Sequence, residues 1–182
     1  MFDRFPVLSG RGVTLREICE SDAAPLYWAT ASPELREFTK APPSSVEGFE
    51  RFIARSRGKR AAGRGGVFAI IPAGDTSPVG LFQLNVFEEE SGVVEWGFVL
   101  AVSLWGKGIF VESATLVLDF LFGEVAAERV QGGVRSRIAA RYRRSKNWVR
   151  FRARSCTTTL TSIVRATANC GQSLLRRGEI GG

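Results

Sequence analysis

Residues 103–114, Ser-Leu-Trp-Gly-Lys-Gly-Ile-Phe-Val-Glu-Ser-Ala, carry the spacing in this chain best suited to chemistry. Gly106 and Gly108 let backbone N–H groups approach an anion without side-chain obstruction. A helix opening just beyond them adds unpaired N–H groups and the positive end of its dipole. A pyrophosphate suits such a turn. The pattern is not GxxxxGK followed by Ser or Thr, nor is it GxGxxG, because position 111 is Val. On spacing alone, an ordinary glycine turn ahead of a core helix fits as well. Just upstream, Val94–Leu100 reads as an apolar strand in which Glu95 is the single acid. Partial burial there strengthens a carboxylate as a proton acceptor; the alternative is a carboxylate on the solvated rim.

Several chemistries are excluded by composition. The chain has no histidine, which removes His-based triads, His metal ligands and the commonest general base. Its three cysteines, Cys19, Cys156 and Cys170, are widely spaced without a CxxC pair, so neither a disulfide scaffold nor a zinc site is expected. No metal is expected. No apolar run approaches the ~18–20 residues of a membrane span; the longest, Leu116–Phe122, is interrupted by Asp119. The first residues have neither a basic leader nor an apolar segment, so the expected location is the cytoplasm, with no membrane partner.

The elements that must position these residues alternate between strand and helix. Gly12–Ile18 alternates apolar and polar as a half-buried strand does. Ser21-Asp22 reads as the cap of a helix over Ala23–Ala31, with Leu26, Tyr27 and Trp28 available for its buried face. After the Pro42-Pro43 break, Ser44-Ser45 with Glu47 opens a helix on Val46, Phe49, Phe52 and Ile53. Arg55–Gly66 reads as a basic, Gly-rich loop. Strands are expected at Val67–Ile71, Pro78–Phe87, Gly92–Leu100 and Arg129–Val134. Between the last two, Lys107–Ala127 places Ile109, Ser113, Leu116, Val117, Phe120 and Leu121 on one helical face, with Glu112 favoured in its first turn. Trp96, Phe98, Leu116 and Phe120 read as core.

The block Glu95–Ala114 resembles the acetyl-CoA site of the GCN5-related N-acetyltransferases (GNAT), closest to the branch that acetylates the N-termini of ribosomal proteins. The family's motif is Gln or Arg, two residues, Gly, one residue, then Gly or Ala. Here Trp105-Gly106-Lys107-Gly108-Ile109-Phe110 stand in those places; Gly108 fits, while Trp105 and Phe110 depart from the usual types. The resemblance covers about residues 8–134, including Leu15-Arg16 and the Ser-Asp-Ala helix start. It implies a mixed α/β fold, mostly antiparallel, with helices flanking the sheet. It also implies backbone amides around Trp105–Phe110 on the coenzyme A pyrophosphate, with Lys107 in reach of a phosphate. The pantetheine arm would pair with backbone at Phe98, Val99 and Leu100. The implied reaction is attack of an amine, from a protein N-terminus or a small molecule, on the acetyl thioester. Glu95 is then the candidate base, acting directly or through water.

Charge divides the chain differently. Of 182 residues with net charge +7, positions 1–128 hold 12 Lys/Arg and 17 Asp/Glu, whereas 129–182 hold 13 Lys/Arg and the lone acid Glu179. Residues 1–134 are therefore expected to form the acetyltransferase core, and 135–182 an atypical basic tail. The Lys-Leu-Gly segment that ends the family pattern is missing. Yet Lys146-Asn147-Trp148-Val149, read two bases later in the codons, gives Lys or Glu, then Leu, then Gly, whatever synonymous codons are used. A frame change near residues 129–135 accounts together for the charge jump, the arginines and the lost periodicity. It would strip apolar partners from the last core strand and weaken or abolish acetyl transfer, while coenzyme A binding persists in part. The alternatives are a poorly ordered solvated tail and an arm that binds RNA or the ribosome, with Tyr142, Trp148 and Phe151 among arginines. The second makes the chain a nucleic-acid-binding protein on a degenerate acetyltransferase core, a reading not favoured over acetyl transfer.

Overall fold

The computed structural model describes residues 2, 5–38, 42–86, 92–133 and 148–152. They form one seven-stranded sheet in the order β1 to β7: β1 (Leu8–Ser9), β2 (Val13–Glu17), β3 (Gly65–Pro72), β4 (Gly80–Val86), β5 (Val93–Leu100), β6 (Arg129–Gly133) and β7 (Trp148–Arg152). Every neighbouring pair is antiparallel except β5 and β6, which run parallel. A parallel pair needs a crossover, and α4 (Ile109–Gly123) supplies it. This is the mixed, mostly antiparallel sheet expected from sequence.

Helices cover both faces. On one, α4 buries Ala114, Val117, Leu118, Phe120 and Leu121 against Leu15, Phe68, Ile70, Phe82, Leu84, Val94 and Trp96. Phe2 and Phe5 join this core, with the Phe5 ring 4.6 Å from that of Phe68. On the other face, α1 (Ala23–Thr30) and α3 (Val46–Ala61) bring Leu26, Phe49 and Ile53 onto Val67 and Leu81. A short helix, α2 (Pro33–Phe38), follows α1.

Four local expectations are corrected. Asp22 does not cap α1 with its side chain. Its carboxylate takes both Arg16 guanidinium nitrogens at 2.7 Å and the Cys19 N–H at 2.8 Å, because a buried carboxylate must be paired. Trp28 does not lie on the buried face of α1; it is 72% exposed, while Leu26 is buried. Arg55–Gly66 is not a loop. The α3 seam of Phe49, Ile53 and Ser56 continues inward past Arg55, and Arg and Lys favour helix. The helix stops only where Gly63 adopts φ 68° and the N–H groups of Gly63 and Arg64 return to Arg60 and Lys59. Finally, the α4 core stripe includes Leu118, whereas Leu116 is half-buried. The N-cap of α3 is Ser45, which accepts from Gly48 N–H at 3.1 Å. Residues 134–147 and 153–182 lie outside the described residues, and with them most of the basic tail and its frame-change reading. Where they resume, Trp148–Arg152 pairs with β6 from Arg129↔Arg152 to Gly133↔Trp148, a strand the sequence pattern did not suggest.

Candidate active site

The site is built where β5 and β6 part. Their pairing runs from Val93↔Arg129 to Trp96↔Gly132 and ends there. From Gly97 to Leu100, β5 remains paired with β4 on one side, while the other edge has no β6 partner among the described residues. Backbone groups alternate sides along an antiparallel strand, so Val99, opposite Leu81, faces β4, while Phe98 and the Leu100 N–H point into a gap that an extended chain can enter as an added strand.

The far end of β5 leads into that gap. A single helical turn at Val102–Leu104 and the Trp105–Gly108 loop bring the chain to the start of α4. Gly106 has φ 75° and Gly108 φ 81°, the left-handed backbone region that glycine enters without steric cost. A Cβ at Gly108 would meet no other atom within 4 Å, so the loop is open above it. No side chain caps the helix, and its first internal bond is Glu112 N–H to the Gly108 carbonyl at 3.0 Å. The N–H groups of Ile109, Phe110 and Val111 precede that bond and carry the positive end of the helix dipole. Trp105 donates its indole N–H to the Leu100 carbonyl at 3.0 Å, so its side chain pins the loop to the strand end. Lys107 is exposed, while Ile109 and Phe110 are half-buried against the α4-side core.

The two walls touch through aromatics. The Phe98 and Phe110 rings lie 4.3 Å apart, and Phe82 sits beneath both at 5.6 and 6.0 Å. Trp96 and Phe120 are buried core, as expected; Phe98 is 37% exposed and belongs to the rim of the gap instead.

Glu95 faces the other way. Val94, Trp96 and Leu100 pack toward α4, so Glu95, Gly97 and Val99 project toward α1 and α3, and Val99 packs there against the second cluster. Glu95 is half-buried and lies between Asn85 of β4 and Gln131 of β6, its register partners. Gln83 continues the strip, with its amide 3.3 Å from the Asn85 side-chain oxygen, which also accepts from Lys59 Nζ at 3.0 Å. Gln83, Asn85, Gln131 and Lys59 were not singled out from sequence. Only strand register sets the three amides in one strip with Glu95, and α3 brings Lys59 to Asn85; an amide in a strand gives no signal by itself. Glu112 also departs from expectation. Its carboxylate leaves its own helix and accepts from the N–H groups of Arg11 and Gly12.

Among the described residues, no group of three or more His, Cys, Asp or Glu is placed to hold a metal, and no helix is long and apolar enough to cross a membrane. Cys19 is an exposed free thiol.

Comparison with known proteins follows the same geometry. Residues 13–150 match the family model of the acetyltransferase (GNAT) domain. The N-acetyltransferase p20 of Bacillus licheniformis, itself uncharacterized, is 26% identical over 125 residues, 67% of this chain and 69% of that protein. Among solved structures, Mycobacterium smegmatis RimJ in complex with CoA-disulfide superposes with a TM-score of 0.65 at 21% identity, covering 88% of this chain and 93% of that one. The ribosomal-protein-S5-alanine acetyltransferase of Vibrio fischeri has a TM-score of 0.62 at 12% identity, over 88% and 81% of the two chains. The parted strands, the uncapped helix end and the match over most of the chain agree, and the chain belongs to the GNAT family of acetyltransferases.

Proposed function

We propose that this chain uses acetyl-CoA to N-acetylate an amine, either the N-terminus of a protein, as the names of the similar ribosomal-protein acetyltransferases suggest, or a small molecule. The observation that carries the reading is the open N-terminus of α4 beside Phe98–Leu100, the stretch of β5 with no β6 partner among the described residues. Backbone amides of Gly106 and of Gly108 to Phe110 hold the pyrophosphate, while the Lys107 N–H is spent on the Leu104 carbonyl and its side chain adds a mobile positive charge at the loop. The strand edge holds the extended pantetheine arm by backbone pairing. When bound, the cosubstrate supplies an acetyl thioester open to attack by a neutral amine.

An amine is protonated near neutral pH, so it must lose a proton to react. Glu95 stands on the sheet face opposite α4, half-buried between Asn85 and Gln131, and takes that proton directly or through one water. Asn85, Gln83 and Gln131 offer neutral donors and acceptors that orient an incoming amine without competing for its charge.

The test is acetyl-CoA turnover with candidate N-terminal peptides and small amines. Glu95→Gln lowers kcat by about 10²–10⁴-fold, the usual worth of a positioned base, without weakening acetyl-CoA binding. Turnover that survives the substitution removes Glu95 as the base.

A further inference from the structure

We propose that Glu112 is a positioning residue for the coenzyme A site, clamping the start of α4 to the turn between β1 and β2. This inference rests on the acetyl-CoA reading above. Glu112 is the fourth residue of α4, one turn from the open N–H groups of Ile109–Val111. An acid here is favoured by the positive end of its own helix and its free amides. Turning back onto those amides would fill the anion site with a fixed carboxylate and repel a phosphate. Instead, one Glu112 oxygen accepts from Arg11 N–H at 2.5 Å and Gly12 N–H at 2.9 Å, about a hundred residues away in the chain.

The turn is shaped to receive it. Gly10 N–H closes the hairpin on the Val13 carbonyl at 2.8 Å, which leaves the next two amides directed outward. A Cβ at Gly10 would fall inside contact distance of Glu112 Oε1, and one at Gly12 would stand 3.0 Å from Oε2. Both glycines therefore admit the carboxylate, and neither is in the left-handed backbone region, so alanine is tolerated by the backbone itself. Charge-assisted bonds of this kind are about twice as strong as neutral ones. They tie the helix end to the β1–β2 turn, separately from the Phe98–Phe110 contact, and they keep the one acid of the first turn off the open amides.

Coenzyme A affinity by calorimetry, together with hydrogen exchange at the Arg11 and Gly12 amides, tests this. Glu112→Ala weakens affinity roughly tenfold and deprotects both amides. Glu112→Gln, which keeps an acceptor oxygen, stays within about threefold of wild type. Should Glu112→Ala fail to fold, Gly10→Ala displaces the same carboxylate from the turn and gives the same loss of affinity. A folded Glu112→Ala or Gly10→Ala protein that binds coenzyme A as wild type does overturns the clamp alone. A wild-type chain that binds no coenzyme A overturns the acetyl-CoA reading and the clamp with it.

Discussion

The rings of Phe98 and Phe110 lie 4.3 Å apart at an interplanar angle of 38°. One ring stands on the end of β5 beyond its β6 pairing and the other on the first turn of α4, so a single contact ties together the two elements that make the proposed cosubstrate site. Aromatic pairs at this spacing contribute about 0.5–1.5 kcal/mol beyond their buried area. Stability measured in a double-mutant cycle of Phe98→Ala and Phe110→Ala is expected to show a coupling of that size. The Phe110 change alone costs about 1–3 kcal/mol, below the range for a fully buried ring because Phe110 is half-buried. Additive losses would show that strand and helix are held independently.

The Arg16–Asp22 pair sets an acid limit on stability. Asp22 is 2% exposed. Burial alone would push its carboxyl up, but the Arg16 guanidinium, the Cys19 N–H and thiol, and the Arg16 charge outweigh that and hold it below the ordinary value. Donating to the Asp22 carboxylate likewise raises Arg16. Folded Asp22 thus binds its proton less readily than unfolded Asp22 does. Its contribution is complete above the unfolded value of about 3.9 and is lost as pH falls through the lower folded value. Denaturation midpoints should fall with acid over that window. Asp22→Asn should cost about 1.5–3 kcal/mol at neutral pH and flatten the acid limb; an unchanged acid limb would mean that other carboxylates set it.

The basic tail, residues 135–182, is proposed to arise from a change of reading frame near residues 129–135. Sequencing the gene from independent clones tests this: an insertion or deletion of bases in that stretch is expected. A single intact frame in every clone, with close relatives sharing the same arginine-rich tail, would contradict it. Salt-dependent RNA binding that disappears when residues 135–182 are deleted would favour a functional arm instead.

Much of this site was legible because its signals are local. The apolar run of Val94–Leu100, the glycines at 106 and 108 and the apolar face of the following helix all lie within about thirty residues, and each has a direct structural counterpart. What could not be read depends on partners distant in sequence. Asn85 and Gln131 join Glu95 only through the register of three strands. Glu112 looked like a first-turn acid because nothing near it in the chain announces the amides of Arg11 and Gly12. Asp22 looked like a helix cap because its partner Arg16 lies in the preceding strand. Arg55–Gly66 looked like a loop because its charge hid a helical seam whose burial comes from the sheet beneath.

The most direct measurement is a thermal unfolding series of the full chain with increasing acetyl-CoA. A ligand that binds only the folded state stabilises it by about 2.7 kcal/mol at a hundredfold excess over Kd, which corresponds to roughly 5–10 °C for a chain of this size. A midpoint that climbs with acetyl-CoA concentration, and climbs less in the Phe110→Ala protein, is the expected result. A midpoint that stays fixed at millimolar acetyl-CoA would contradict a cosubstrate site between the end of β5, past its β6 pairing, and the start of α4.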